Sequence, residues 1–219
     1  MDINEAIQLR HSVRQYKTDS IPESVKSALQ DEVDLCNKES GLNIQVFYGD
    51  RNTFTGFLAH YGKFKNAQNY IALVGPESKM LDETAGYYGQ RIVLFLQQIG
   101  LNTCWVGGTY KKGKCSAVVS AGEKLVCIIA FGYGENEGVK HKSKPIEKLC
   151  NVPEENMPEW FRNGMAAAMM APTAINQQKF FVELRDEEAV ITAQNGPFSN
   201  VDKGIVKYNF EAASGHKCK

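Results

Sequence analysis

The sequence lacks net charge: its 219 residues include 25 Lys plus Arg against 25 Asp plus Glu. No global field draws in nucleic acid or an anionic membrane, so neither is an expected partner. A long apolar run is also missing. The strongest apolar helical stretch, around 92–99, falls far short of the roughly 20 residues a membrane span needs. The start, MDINEAIQ, is acidic and amphipathic, unlike a signal peptide. Cysteine is sparse, with six residues at 36, 104, 115, 127, 150 and 218 and no CxxC spacing, so a metal site of that kind is excluded. Scattered reduced thiols in a cytoplasmic protein are the expectation. Neither a Walker motif nor GxGxxG occurs, which removes the P-loop and Rossmann readings.

What is present fits a single domain with a real core, since 43% of residues are hydrophobic and 23% charged. Asp2 with Glu5 three residues on forms a capping-box pattern for a first helix. Pro22 starts a second helix, whose apolar positions Val25, Leu29, Val33 and Cys36 recur at helical spacing until Gly41. Leu42 to Tyr48 alternates as a strand, 53–68 reads as a short helix and loop, and YIALVG at 70–75 as a buried strand. A helix follows from Asp82 to Ile99, apolar nearly all round and therefore central or packed on a partner. Cys104 to Val106, Leu125 to Phe131, Lys179 to Leu184 and Ala189 to Ala193 read as strands. A short helix starts at Pro145, Trp160 to Ala171 is helical, and Asp202 caps a last helix ending at Gly215. Without a regular βαβ rhythm, the pattern indicates α+β rather than a doubly wound parallel sheet.

Four segments carry candidate chemistry. RHSVRQY (10–16) offers Arg10 and Arg14 around Ser12, a donor set suited to an anion at a helix end, although alone it reads more readily as a solvated terminus. APTAINQQ (171–178) places Thr173, Asn176 and Gln178 after Pro172, giving several donors and acceptors in one loop. LNTCWVGG (101–108) ends a strand at Val106, Gly107 and Gly108, where missing side chains let a backbone N–H approach a flat ring; a turn needing positive φ is the alternative. KHKSKP carries Lys140, Lys142 and Lys144 on a basic loop.

Together these segments resemble the FMN-dependent nitroreductase family. GYYGQRIVLFLQQIGLNTCWVGG (86–108) is similar to the family's long central helix and the strand after it. LVCIIAFGYGENEGVKHKSKPIEKL (125–149) is similar to its late strand, basic loop and proline-started helix. APTAINQQKFF matches the family's APSxxNxQPW segment at Ala171, Pro172, Asn176 and Gln178, with Thr173 for serine and Lys179-Phe180 for Pro-Trp. In most members that segment comes early; here it comes after residue 170, as in a permuted or internally duplicated chain. Asp202, Gly204 and Asn209 resemble the DxGxxxxN start of the central helix. Gly89 to Gly100 and Gly204 to Gly215 share one spacing, so the single domain is expected to contain two pseudo-repeated halves, about 1–150 and 151–219.

The resemblance implies a three-layer α/β/α fold with a mainly antiparallel sheet and helices on both faces. It implies FMN held by Arg10, His11, Ser12, Arg14, Val106, Gly107, Gly108, Pro172, Thr173, Asn176 and Gln178. Arg10 would be on the phosphate side and Arg14 near the N1/O2 edge. Ser143 stands where the family has an arginine, so Lys142 or Lys144 would substitute for it. The implied activity passes electrons from NAD(P)H to nitroaromatics, quinones or similar flat acceptors, with no catalytic acid or base. A different flavin reaction, or a non-catalytic flavin-binding or redox-sensing role, is the alternative. Either a homodimer or a pseudo-dimeric monomer fits.

Overall fold

The first helix, α1 (Ile3–Leu9), starts on the anticipated capping box. Glu5 N–H donates to Asp2 Oδ1 at 2.9 Å and Asp2 N–H to Glu5 Oε2 at 3.3 Å. In this computed structural model, which describes residues 1–56 and 61–219, α2 spans Glu23–Ser40 and ends at Gly41 with φ +72°. The helix expected within 53–68 falls partly on residues outside those described. The described residues form two compact units. One comprises 10–81 and 92–140, the other 1–9, 82–91 and 141–219.

The first unit is built on a four-stranded antiparallel sheet in the order β1 (Gln45–Phe47), β2 (Tyr70–Pro76), β4 (Glu123–Gly132), β3 (Asn102–Val106). β2 pairs Tyr70 with Ala130 and Ala72 with Ile128, and β3 pairs Val106 with Ile128. Tyr70 to Val74 and Val126 to Phe131 are buried without alternation, so the middle of the sheet is covered on both faces. Tyr70, Ala72, Val74, Val106, Ile128 and Ala130 share one cluster with Val13, Tyr16, Phe54 and Tyr110. The strand expected from Leu42 is shorter than its apolar alternation suggests. Asn37 covers its outer edge, accepting the Ile44 N–H (2.7 Å) and donating to the Ile44 carbonyl (3.0 Å), while the Asn43 N–H donates to Val74 O of β2 at 2.8 Å and regular pairing runs from Gln45.

The second unit holds α1, the first half of α3 (Leu81–Gln98), α4 (Glu159–Met169), the hairpin β5 (Phe180–Arg185) to β6 (Glu188–Ala193), and α5 (Ser199–Ser214). Its centre is a helix crossing with almost no space. A Cβ on Gly86 would overlap the Val201 carbonyl, and one on Gly204 would overlap the Glu83 carbonyl and stand 2.7 Å from Tyr87 N. The contact is reciprocal, because each glycine meets the carbonyl three residues before the other. Around the crossing, Gln90 Nε2 donates to Asn209 Oδ1 (2.9 Å), and Asn209 Nδ2 donates to Ala167 O of α4 (3.0 Å). Tyr87 OH donates to Glu211 Oε2 at 2.7 Å, and Lys203 pairs with Glu83 at 2.8 Å. Helices with antiparallel sheets give the α+β class expected from the sequence. Among the described residues, no helix is long and apolar enough to cross a membrane.

Candidate functional site

Arg10, Ser12 and Arg14 were expected at the end of a helix. α1 stops at Leu9, and the segment after it is extended. Ser12 bridges Thr103 in parallel, and Val13 N–H donates to Thr103 O at 2.9 Å, so the segment runs beside the edge strand β3. The RxSxR spacing therefore acts with a strand's period of two, which points Arg10, Ser12 and Arg14 one way and sends Val13 into the core. What the three share is Cys104 of β3. The Ser12 hydroxyl and the positive charges of Arg10 and Arg14 all favour its thiolate form. Burial nevertheless raises the Cys104 pKa, outweighing both arginines. Nothing in the sequence pattern marked this cysteine as the point where the motif converges.

Arg10 is the most unusual group of the set. Its residue is only 3% exposed, and its Nε has no hydrogen-bond partner. No carboxylate pairs with it among the described residues. Burial draws its pKa down to about 10, which still leaves it charged at neutral pH. A buried guanidinium without an anion is costly to the fold alone. Its chemistry fits a phosphate, which offers the charge and the acceptor oxygens that the protein does not. His11 is partly buried, and a Cβ on Gly138 would stand 2.8 Å from the His11 Cβ, so the 134–140 turn passes directly over it. At the end of β3, Val106 is buried, Gly107 half-buried and Gly108 exposed. Neither glycine has a positive φ, so the turn explanation for them falls away. A Cβ on Gly108 would meet nothing within 4 Å.

The second unit holds the other expected residues in one hydrogen-bonded loop. Pro172 is buried behind α4, and Thr173 Oγ1 accepts the Gln178 N–H at 3.0 Å. Asn176 Nδ2 and Gln178 Nε2 both donate to the Lys142 carbonyl, at 3.0 and 2.8 Å. Gln178 Oε1 accepts the Lys144 N–H at 2.7 Å. Lys144 Nζ donates to the carbonyls of Gln177 (2.7 Å) and Gln178 (3.0 Å), so its charge is spent on the loop itself. The Lys142 residue is exposed. Ile175, Asn176 and Gln178 take φ values of +49°, +55° and +46°. Three non-glycine residues in the left-handed region within four positions is a strained arrangement that its neighbours must enforce.

One enforcer escaped the sequence reading. Asp202 was expected to cap the last helix, but α5 begins at Ser199, and Asp202 lies in its first turn, 2% exposed. Its carboxylate accepts the Ala174 N–H (2.9 and 3.1 Å) and Gln177 Nε2 (2.7 Å), reaching a loop 28 residues away. Burial pushes its pKa up to about 6, against the pull of those hydrogen bonds.

The family model described as "Putative TM nitroreductase" matches residues 2–214. A crystal structure described as a putative nitroreductase from Thermotoga maritima MSB8 is similar with a TM-score of 0.67 at 23% identity, over 97% of this chain and 83% of that one. A nitroreductase family protein from Streptococcus pneumoniae TIGR4 gives 0.55 at 12% identity, over 68% and 98%. A protein from Bacteroides thetaiotaomicron VPI-5482, described as a putative NADH dehydrogenase/NAD(P)H nitroreductase, gives 0.50 at 18%, over 67% and 95%. At these identities the likeness shows the fold. No curated protein sequence matches.

Proposed function

The chain belongs to the family described as putative TM nitroreductase, and from that premise we propose an FMN-dependent oxidoreductase that takes electrons from NAD(P)H and passes them to nitroaromatics, quinones or similar flat acceptors. The observation that carries the cofactor reading is Arg10, a buried guanidinium with an unpartnered Nε and no anion of its own. Ser12 and Arg14 extend the same donor face, and Gly107 and Gly108 leave backbone uncovered at the end of β3. Thr173, Asn176 and Gln178 are the second set of candidates, already fixed by their own network.

Bound FMN would supply the redox chemistry, accepting hydride from the nicotinamide and returning electrons to the acceptor. The chain's part is binding, orientation and electrostatics. Arg10 would neutralise phosphate charge. Arg14, which is exposed, would favour negative charge on the ring edge. No side-chain acid or base is assigned, and none is needed to move a proton in this scheme.

The test is a visible spectrum of the purified protein, or of the protein given FMN, followed by anaerobic NAD(P)H and then a quinone. Flavin absorbance, its bleaching and its return support the proposal. Tight flavin without bleaching would indicate a binding protein instead. The reciprocal Gly86–Gly204 crossing also supports one chain supplying both members of a helix pair, so a monomer is expected; a stable dimer in sedimentation equilibrium would count against that part.

A further inference from the structure

We propose that Asp202 is a positioning residue for the 173–178 loop, holding Thr173, Asn176 and Gln178 in the geometry that receives the flavin. The inference rests on the flavin reading above. The loop is strained. Ile175 is β-branched, 91% exposed and at φ +49°, so neither its own packing nor its intrinsic preference keeps the loop in this shape. Two charged groups do. Lys144 Nζ holds the loop through the carbonyls of Gln177 and Gln178. Asp202 holds it through the N–H of Ala174 and the side-chain amide of Gln177.

The two anchors are not equivalent. Lys144 is partly exposed, whereas Asp202 is almost fully buried and keeps its charge only through those hydrogen bonds and the positive end of α5. Ala174 and Gln177 flank Ile175 and Asn176, so the carboxylate grips both ends of the strained stretch. Gln177 Nε2 also donates to Pro197 O at 2.8 Å, which ties the loop to the turn before α5. A protonated carboxyl offers fewer acceptor sites and no charge, so the grip weakens when Asp202 takes up a proton. Its pKa, raised to about 6, sets where that happens.

Charged groups on the neighbouring elements are engaged with one another. Lys203 and Lys207 of α5 pair with Glu83 of α3, and Lys144 is bound to the loop carbonyls. His141 and His216 lie in the same unit, so the wild-type profile is compared with a variant that changes Asp202 alone.

The experiment titrates FMN, by fluorescence quenching, into wild type and Asp202→Asn from pH 5 to pH 8. Wild-type affinity should be constant above pH 7 and fall as pH drops through about 6. Asp202→Asn should bind roughly tenfold or more weakly at pH 7.5, the loss of a charged hydrogen-bond acceptor, and show a flattened profile. Hydrogen exchange of the 172–179 segment is followed in parallel without flavin. It should quicken in the variant at pH 7, while the sheet of the first unit keeps its protection. Wild-type FMN affinity in the variant at every pH, or unchanged exchange in 172–179, overturns the proposal. Should the variant not fold, a wild-type profile with no change between pH 5 and 7 overturns it equally. Faster exchange in the loop of a protein that binds no FMN at any pH rejects the flavin reading while leaving the Asp202 anchor in place.

Discussion

Replacing Gly204 by alanine tests the helix crossing at the heart of the second unit. In an exposed helix the change would help, because alanine is favoured over glycine by about 1 kcal/mol. Here the new methyl would overlap the Glu83 carbonyl oxygen and sit 2.7 Å from Tyr87 N. Both are backbone atoms of a packed helix, so no rotamer change relieves the clash. The helices must separate, and overpacking of this kind costs roughly 1–3 kcal/mol. Separation also stretches the buried Gln90–Asn209 hydrogen bond and the Tyr87–Glu211 contact, each worth about 1 kcal/mol. Set against the propensity gain, the net loss is about 2–4 kcal/mol. For a chain of this size that lowers Tm by roughly 5–15 °C. Gly113→Ala is the control: its residue is exposed and a Cβ there meets nothing within 4 Å, so stability should stay within about 0.5 kcal/mol. Urea denaturation and thermal melts measure both. A Gly204→Ala protein as stable as wild type would refute the close crossing.

Arg10→Ala should weaken FMN binding by roughly 1.5–3 kcal/mol, since a charge-assisted contact is lost. It should leave the flavin-free protein no less stable, because the removed charge has no partner among the described residues; a lower Tm without flavin would show that Arg10 serves the fold. Asn176→Ala should cost about 1 kcal/mol of FMN affinity, and wild-type binding would make 171–178 an ordinary loop. Asp202 gives a pH prediction for stability. For global unfolding, as distinct from the local hold that the charged form has on the loop, burial decides the sign: the folded pKa lies above the unfolded value, so the contribution is complete at low pH and is lost as pH rises through about 6. The size is roughly 3 kcal/mol. Asp50, whose pKa is lowered by hydrogen bonds from Tyr70, Ser116 and Thr53, acts in the opposite sense. The readout is therefore the difference between wild type and Asp202→Asn in urea at pH 4.5 and 7; a constant difference would contradict the raised pKa.

Local signals were legible where the chain's own neighbours decide the structure. The Asp2–Glu5 box, Pro22 before α2 and Gly41 after it all act within a few residues. The apolar runs of β2 and β4 were legible for a similar reason, since burial on both faces demands continuous hydrophobicity. What stayed hidden depends on distant partners. RHSVR reads as a helix end until Thr103 pairs with it as a strand. Asp202 reads as a cap until Ala174 takes its carboxylate. The amides of Asn176 and Gln178 were picked out by resemblance, yet their binding of the Lys142 carbonyl follows from a loop shape with three left-handed residues, which no local preference predicts.

The most direct test of the central claim is anaerobic titration of the FMN-loaded protein with NADH and, separately, NADPH, followed at the flavin's visible absorbance. At least one nucleotide should bleach the flavin stoichiometrically, and a quinone added afterwards should restore the absorbance. A protein that takes up no FMN at micromolar concentration, or holds it unbleached by either nucleotide, would contradict the account.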